Sequence, residues 1–242
     1  MKALILAGGR GSRIDEVSGN INKCMIEIDG RPVIEYNLDR ACDIDGIKEI
    51  VIVVGHRAED IINRYGTSYK GRKINYVIQK EQKGLVHAIE CSIDAIKKDD
   101  FFLLLGDEVL INSRHTDMYN QFKEEKLFGM CGVVAQEDKK NISKTYAVIS
   151  DETGRVFRLI EKPKNPVNNL QGTGHCLFRN DILSFIDRTP IHHERGEKEL
   201  PDLIQCAIDD GEIIKIFNIG DKYTNINSIE DLDEAKKSNI IS

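Results

Sequence analysis

The stretch Leu4–Arg13, LILAGGRGSR, joins a short apolar run to a glycine-rich turn. An apolar run of this length is typical of a strand buried on both faces, as in parallel sheets. The glycines of the turn let backbone amides approach a polyphosphate without obstruction by Cβ atoms, and Arg13 adds a cation. The stretch therefore predicts a phosphate-binding turn at the carboxyl end of a strand.

Two common phosphate-binding motifs do not fit this turn. The dinucleotide-binding pattern G-x-G-x-x-G, begun at Gly9, requires a glycine where Ile14 stands. The Walker A pattern requires Gly-Lys-Ser/Thr, whereas Arg13 and Ile14 occupy the corresponding positions after Gly8. The turn is therefore a distinct phosphate loop, and a nicotinamide-dependent oxidoreductase is disfavoured.

Residues 1–106 alternate apolar, β-branched runs with helical patterns. The runs after the first are Ile50–Val54 and Phe101–Leu105, and the helical patterns are Pro32–Ala41, Ala58–Tyr65 and Leu85–Ile96. This order predicts an α/β fold with a Rossmann-like, doubly wound sheet that binds ligands at the carboxyl ends of its strands.

The second half of the chain has a different character. Two alternating segments flank Asp151–Gly154, which predicts a hairpin because the glycine supplies a positive φ. Ser228 followed by Asp231 predicts the start of a last helix. We therefore expect one domain over residues 1–242, with a mixed sheet and an inserted antiparallel lobe at 139–205, followed by return strands and a helix at 206–242.

Composition excludes several classes of function. The chain has 34 Lys+Arg and 40 Asp+Glu residues, a net charge of −6, which disfavours binding to nucleic acid through bulk basic charge. The longest apolar runs are far below the roughly 18 residues of a membrane span, and the first run is too short for a signal peptide. We expect a cytoplasmic protein without membrane association. The six cysteines are scattered singly, which favours neither disulfides nor a zinc site.

The glycine-rich turn, followed ten residues later by Lys23, resembles the signature of the sugar-1-phosphate nucleotidyltransferases, also called NDP-sugar pyrophosphorylases. Further similar elements follow in that family's order. They are Gln79 with Gly84, Asp107 in LLLGDE, Tyr146-Ala147, Glu161-Lys162-Pro163, Thr173-Gly174, Arg195-Gly196-Glu197, and NINSIEDL from residue 225. Thr173-Gly174 and Arg195-Gly196-Glu197 are similar to elements of the glucose-1-phosphate thymidylyltransferase branch, and NINSIEDL is similar to the family's metal-binding segment. Small cytidylyltransferases are the other branch that the chain resembles.

The resemblance implies a role for each of these residues. The implied catalytic residues are Arg13, Lys23, Asp107 and Lys162. Residues 1–138 are expected to serve mainly the nucleotide, and the implied nucleotide-binding residues are Leu6, Ala7, Gly8, Gly9, Gly11, Ser12, Gln79 and Gly84. The implied acceptor-binding residues, in the sugar-binding lobe, are Tyr146, Ala147, Glu161, Lys162, Thr173, Gly174 and Arg195. The implied Mg²⁺ ligands are Asp107 with Asn225 or Asn227.

The expected reaction transfers a nucleoside monophosphate from an NTP to a sugar 1-phosphate, giving an NDP-sugar and pyrophosphate. The expected partners are an NTP and the sugar 1-phosphate, and Gln79 favours a pyrimidine base. A homo-oligomer is compatible with these expectations. Two departures from the family leave alternatives open. IDEVSGNINK replaces its Leu-x-Pro-x-Thr run, and Asn225 replaces its second aspartate. The alternatives are a cytidylyltransferase acting on a non-sugar phosphomonoester or phosphonate, such as phosphocholine, and a catalytically inactive, nucleotide-binding regulatory protein.

Overall fold

The computed structural model describes residues 1–9 and 21–237. Fourteen strands occur in these ranges: β1 (Lys2–Ala7), β2 (Glu27–Ile28), β3 (Arg31–Pro32), β4 (Glu49–Val54), β5 (Ser68–Tyr69), β6 (Arg72–Ile78), β7 (Phe101–Leu105), β8 (Glu108–Ile111), β9 (Gly129–Ala135), β10 (Tyr146–Ser150), β11 (Val156–Glu161), β12 (Leu170–Phe178), β13 (Ile214–Asn218) and β14 (Lys222–Asn225).

Eight α-helices lie in the same ranges: α1 (Val33–Asp43), α2 (Ala58–Tyr65), α3 (Leu85–Cys91), α4 (Ile93–Ile96), α5 (His115–Glu124), α6 (Lys139–Ile142), α7 (Leu200–Asp209) and α8 (Ile229–Lys237). Two 3₁₀ helices, Lys23–Met25 and Asn180–Phe185, complete the regular structure of the described residues.

A ten-stranded mixed sheet forms the centre of the fold, as the sequence predicts. Its main path runs β11-β10-β12-β7-β1-β4-β6-β5, and β9 and β13 branch from β12. The strands β7, β1, β4 and β6 are parallel, and the β1 residue Ile5 lies opposite Ile52 and Leu104. The predicted hairpin around Asp151–Gly154 joins β10 to β11, and its antiparallel strands continue the central sheet through β12.

Strand β1 is buried along its whole length because helices cover both faces of the sheet. Leu4 and Leu6 face one apolar core, to which α3 and α7 contribute. Ala3 and Ile5 face the other, which contains residues of α1, α2 and α5. Alternate side chains of one strand thus reach both layers, as the two-residue period of a strand requires.

The third helical pattern is interrupted, so the prediction of one continuous helix over Leu85–Ile96 is wrong. Helix α3 ends at Cys91, and α4 begins at Ile93. The buried Ser92 between them donates its hydroxyl to the Ile89 carbonyl oxygen at 2.6 Å, and its backbone N–H donates to the same oxygen. This local hydrogen bonding tightens the turn and competes with the α-helical pattern.

The last elements return to the end of β7. Strand β14 pairs antiparallel with β8, so that Asn225 lies opposite Glu108. The Ile226 N–H donates to the Asp107 carbonyl oxygen at 2.9 Å. The predicted cap of the last helix is also present, because the Asp231 N–H donates to Ser228 Oγ at 3.2 Å. The fold therefore places residues near position 225 beside residues near position 107.

A close contact in the antiparallel region of the sheet provides a test of the packing. Gly172 lies opposite Tyr146, and a Cβ atom on Gly172 would lie 2.0 Å from the Tyr146 ring. Because both residues are buried in the sheet, we expect Gly172→Ala to lower the free energy of unfolding by about 1–3 kcal/mol. Urea unfolding followed by circular dichroism measures this change. Gly9→Ala is the control, since no atom of residues 1–9 or 21–237 lies within 4 Å of its added Cβ; equal losses would contradict the assigned packing.

Candidate active site

A cavity of about 300 Å³ lies at the carboxyl ends of β1 and β7. Its lining residues are Leu6, Gly8, Gly9, Gln79, Gln82, Gly84, Leu85, Ala88, Leu105, Asp107 and Glu197. Five of the residues predicted to bind the nucleotide are brought together here. Ala7 instead is buried in the sheet, where its carbonyl oxygen accepts a hydrogen bond from Asn22 Nδ2 at 3.2 Å. Gly11, Ser12 and Arg13 lie outside the described residues.

Lys23 and Asp107, both predicted to be catalytic, form an ion pair at the edge of this cavity. Lys23 Nζ also donates to Asn227 Oδ1 at 2.8 Å, and Asn227 Nδ2 donates to Asn225 Oδ1 at 2.7 Å. The chain of contacts joins the 3₁₀ helix after the glycine-rich segment to the return strand β14. All the predicted metal ligands are therefore neighbours of a single ammonium group.

The donor set fits a hard divalent cation. A carboxylate oxygen of Asp107 and an amide oxygen of Asn227 already hold one cation, the Lys23 ammonium. Carboxylate and amide oxygens are also ligands that Mg²⁺ accepts, and Mg²⁺ bound to phosphates needs only one or two protein ligands. Within residues 1–9 and 21–237 there is no cluster of three His, Cys, Asp or Glu side chains suited to a metal. A cation here would thus depend on Asp107, amide oxygens and the substrates.

A second cavity of about 170 Å³ adjoins the first, since Leu85 and Leu105 line both. It contains five residues predicted to bind the acceptor: Tyr146, Glu161, Lys162, Thr173 and Gly174. Its other lining residues are Glu108, Lys144, Thr145, Gly172, Glu199, Leu200, Pro201 and Asn225. The loop residue Lys162 has a positive φ of 43° and donates its backbone N–H to the Thr145 carbonyl oxygen at 2.7 Å.

Charges around the second cavity are balanced in pairs. Glu161 Oε1 lies 3.3 Å from Lys162 Nζ and 3.7 Å from Arg195 Nη2. Arg195 Nε donates to Glu199 Oε1 at 2.5 Å. Burial, followed by repulsion from Glu199, raises the pKa of Glu161. Arg195 therefore lies behind the carboxylates, outside the residues that line the cavity, and the predicted Ala147 is buried within β10.

Sequence reasoning missed Glu108, which is buried between the two cavities. Its carboxyl group accepts hydrogen bonds from the Tyr223 hydroxyl at 2.7 Å and the Gly174 N–H at 2.9 Å. Burial, with repulsion from Asp107, raises the pKa of Glu108 to about 8. The signal in the sequence was its place directly after Asp107; Glu108 and Val109 are both buried at the start of β8. Gln82, which lines the first cavity, was also missed, and Glu197, quoted from the sequence only as part of Arg195-Gly196-Glu197, lines the same cavity.

Two buried histidines lie next to Glu108 on the side of the core. His175 Nε2 lies 3.4 Å from Glu108 Oε2, and His175 Nδ1 lies 2.7 Å from His115 Nε2. Burial lowers the pKa of His175 to about 3, and burial together with repulsion from His175 lowers the pKa of His115. The neutral forms of both imidazoles are therefore favoured in the folded protein.

The fold and the paired cavities define an α/β protein with a candidate ligand site at the carboxyl ends of its parallel strands. The family model of the nucleotidyl transferases matches residues 2–238. The chain belongs to this family of enzymes, and the resemblance inferred from its motifs is confirmed.

Named relatives support the same assignment. The chain is 32% identical to the UTP–glucose-1-phosphate uridylyltransferase of Haloferax volcanii, over 98% of this chain and 96% of that protein. It is 30% identical to a glucose-1-phosphate thymidylyltransferase of Streptomyces griseus, over 98% of this chain and 65% of that longer protein.

Solved structures share the fold. A UDP-glucose pyrophosphorylase complexed with UDP-glucose superposes with a TM-score of 0.87 at 22% identity, covering 98% of this chain and 97% of that one. The UTP-bound enzyme of Acinetobacter baumannii gives 0.84 at 20% identity, covering 98% and 92%. The mixed α/β architecture predicted from sequence is confirmed. Among the helices at residues 21–237, none has the length and apolar character needed to cross a bilayer.

The histidine pair predicts how stability depends on pH. An unfolded histidine titrates near pH 6.5, so between about pH 3 and 6.5 the unfolded chain binds a proton that folded His175 does not. The contribution of neutral His175 to the free energy of unfolding is therefore fully present above pH 6.5. Below that pH it is lost by about 1.4 kcal/mol per pH unit for one proton.

We expect His175→Gln to reduce the slope of the unfolding free energy against pH, between about pH 4 and 6, by about one proton. Urea unfolding at a series of pH values in EDTA measures the slope. His193→Gln is the control, because the His193 side chain is 85% exposed. Identical slopes for the wild type and His175→Gln would show that His175 is not held neutral.

Proposed function

We propose that the protein transfers a nucleoside monophosphate from a pyrimidine nucleoside triphosphate to a sugar 1-phosphate. The observation that carries the proposal is the pair of adjoining cavities, one with Gly8, Gly9 and Gln79, the other with Glu161 and Lys162. A donor nucleotide and a phosphorylated sugar held in these cavities meet near Asp107. The activities named for the relatives from Haloferax volcanii and Streptomyces griseus support this choice of substrates.

In the proposed reaction, a phosphate oxygen of the sugar 1-phosphate attacks the α-phosphorus of the triphosphate in line. The bond from that phosphorus to the bridging oxygen of pyrophosphate breaks, and the NDP-sugar and pyrophosphate leave. The second pKa of a phosphate monoester is about 6, so the nucleophile is already ionised at neutral pH and no general base is required. Catalysis consists mainly of positioning the reactants and stabilising charge.

The chain's own cations have separate tasks in this proposal. Lys23 exchanges its contact with Asp107 for oxygens of the triphosphate, and Arg13, outside the described residues, assists it. Lys162, whose side chain is 46% exposed, holds the phosphate of the acceptor. Asp107, with the amide oxygen of Asn225 or Asn227, would hold Mg²⁺. When bound, the metal would neutralise developing charge on the phosphoryl oxygens.

The hydroxyl-rich sugar fits the polar side of the second cavity. Glu161 and Glu199 offer carboxylate oxygens as acceptors around it. A further polar cavity of about 540 Å³ shares Lys144, Thr145, Lys162 and Asn225 with it. Such a surface is matched to a ligand with many hydroxyl groups.

Release of pyrophosphate tests the proposal directly. We expect turnover with UTP or dTTP and a hexose 1-phosphate, dependent on added Mg²⁺ and abolished by EDTA. CTP, ATP and GTP, and phosphocholine as acceptor, complete the panel. Exclusive use of CTP and phosphocholine would support the alternative cytidylyltransferase. Triphosphate binding in calorimetry without turnover on any acceptor would support a regulatory protein and overturn the proposal.

A lysine substitution tests the separation of the two subsites. We expect Lys162→Ala to raise the KM for the sugar 1-phosphate by about 10- to 100-fold, because a charged hydrogen bond is lost. The KM for the triphosphate should change little. Lys164→Ala, at an exposed lysine two positions further on, is the matched control. Equal increases in both KM values would show that Lys162 does not serve the acceptor alone.

A further inference from the structure

The Gln79 side chain is held in one orientation inside the first cavity. It is only 5% exposed, and its backbone N–H donates to the Val54 carbonyl oxygen at 2.8 Å. Gln79 Nε2 donates to the Gly84 carbonyl oxygen at 3.2 Å and lies 3.0 Å from His87 Nδ1. A primary amide nitrogen carries two hydrogens, so these two contacts use both of them.

The contact with Gln79 assigns the tautomer of His87. His87 Nδ1 can accept a hydrogen from the Gln79 amide only if the imidazole is neutral and its proton is on Nε2. His87 Nε2 lies 3.6 Å from Cys91 Sγ, one helical turn further along α3, and donates to that sulfur. Burial raises the pKa of the Cys91 thiol. The two contacts of His87 are therefore consistent with a single tautomer.

Reversal of the Gln79 amide is unfavourable in this setting. Its oxygen would then face the Gly84 carbonyl oxygen across about 3.2 Å. This would be a contact between two hydrogen-bond acceptors, which the assignment of an amide orientation must avoid. Gln79 Oε1 instead points toward Gly8, where an added Cβ atom would lie 2.8 Å from it. Within residues 1–9 and 21–237, no donor forms a hydrogen bond with this oxygen.

We propose that His87 selects the nucleobase by fixing Gln79 so that only an acceptor oxygen faces the base. Uracil and thymine present an N3–H donor to such an oxygen, whereas cytosine presents a lone pair at N3. The site would therefore accept uracil or thymine and disfavour cytosine. His87 is absent from the lining of the cavity, so it is a positioning residue that acts through Gln79. The inference rests on the proposed function and refines its choice of base.

Competition between UTP and CTP tests the inference. With the full chain and a saturating hexose 1-phosphate, we expect kcat/KM to be higher for UTP. His87→Leu, which offers no acceptor, should lower the UTP:CTP ratio by about tenfold. His87→Gln, whose side-chain carbonyl can accept the same hydrogen, should restore most of the ratio. Glu90→Ala on the exposed side of α3 is the control, and the KM for the sugar phosphate should stay constant throughout.

The nitrogen-15 spectrum of the wild-type protein gives a readout that is independent of turnover. We expect His87 to show a protonated Nε2 and an unprotonated Nδ1. A proton on Nδ1, equal use of CTP and UTP by the wild type, or an unchanged ratio in folded His87→Leu would each overturn the inference. If His87→Leu does not fold, the spectrum and the His87→Gln ratio decide. Silence with every triphosphate would instead reject the proposed function, so the two failures are distinguishable.

Discussion

The site depends on backbones that approach closely where parallel strands end. β1, β4 and β7 are followed at their carboxyl ends by Gly8, Gly55 and Gly106. A Cβ on Gly55 would lie 2.6 Å from the Gly8 carbonyl oxygen, and a Cβ on Gly106 would lie 3.1 Å from the Leu6 carbonyl oxygen. Because side chains are excluded there, Gln79 can fold over Gly8 and Asp107 can reach the mouth of the cavity. Close backbone approach thus creates the space that a nucleotide would occupy.

The charge at this edge is local and nearly balanced. The chain has a net charge of −6, yet Lys144 and Lys162 line the second cavity, and Asp107, which lines the first, is matched by Lys23. The return strand contributes amides at 225 and 227 instead of carboxylates. A second carboxylate would repel an anionic ligand across a partly buried region, where charges are weakly screened. Neutral amides offer oxygens to a cation without that repulsion.

The sequence was most informative where local chemistry determined the structure. Glycines after an apolar run predicted the strand end, and Asp151–Gly154 predicted the hairpin, because both depend on nearby backbone geometry. The sequence was less informative where one interaction competes with another for the same residue. Ser92 interrupts a helix whose apolar spacing is regular, and Arg195 is drawn to Glu199 and Glu161 rather than into the cavity. The burial of Glu108 depends on Tyr223, 115 positions away, and no local pattern reveals such a partner.

The pairing of β8 with β14 has a consequence for the nascent chain. The hydrogen bond from Tyr223 to Glu108, and the one from Ile226 to Asp107, join segments more than 110 residues apart. While the ribosome is still adding residues before position 222, Glu108 has no Tyr223 partner and Lys23 has no Asn227. The contacts at the carboxyl end of β7 are therefore completed only after residues 223–227 have been added to the chain. The proposed site at this edge lacks these contacts through most of the synthesis of the chain.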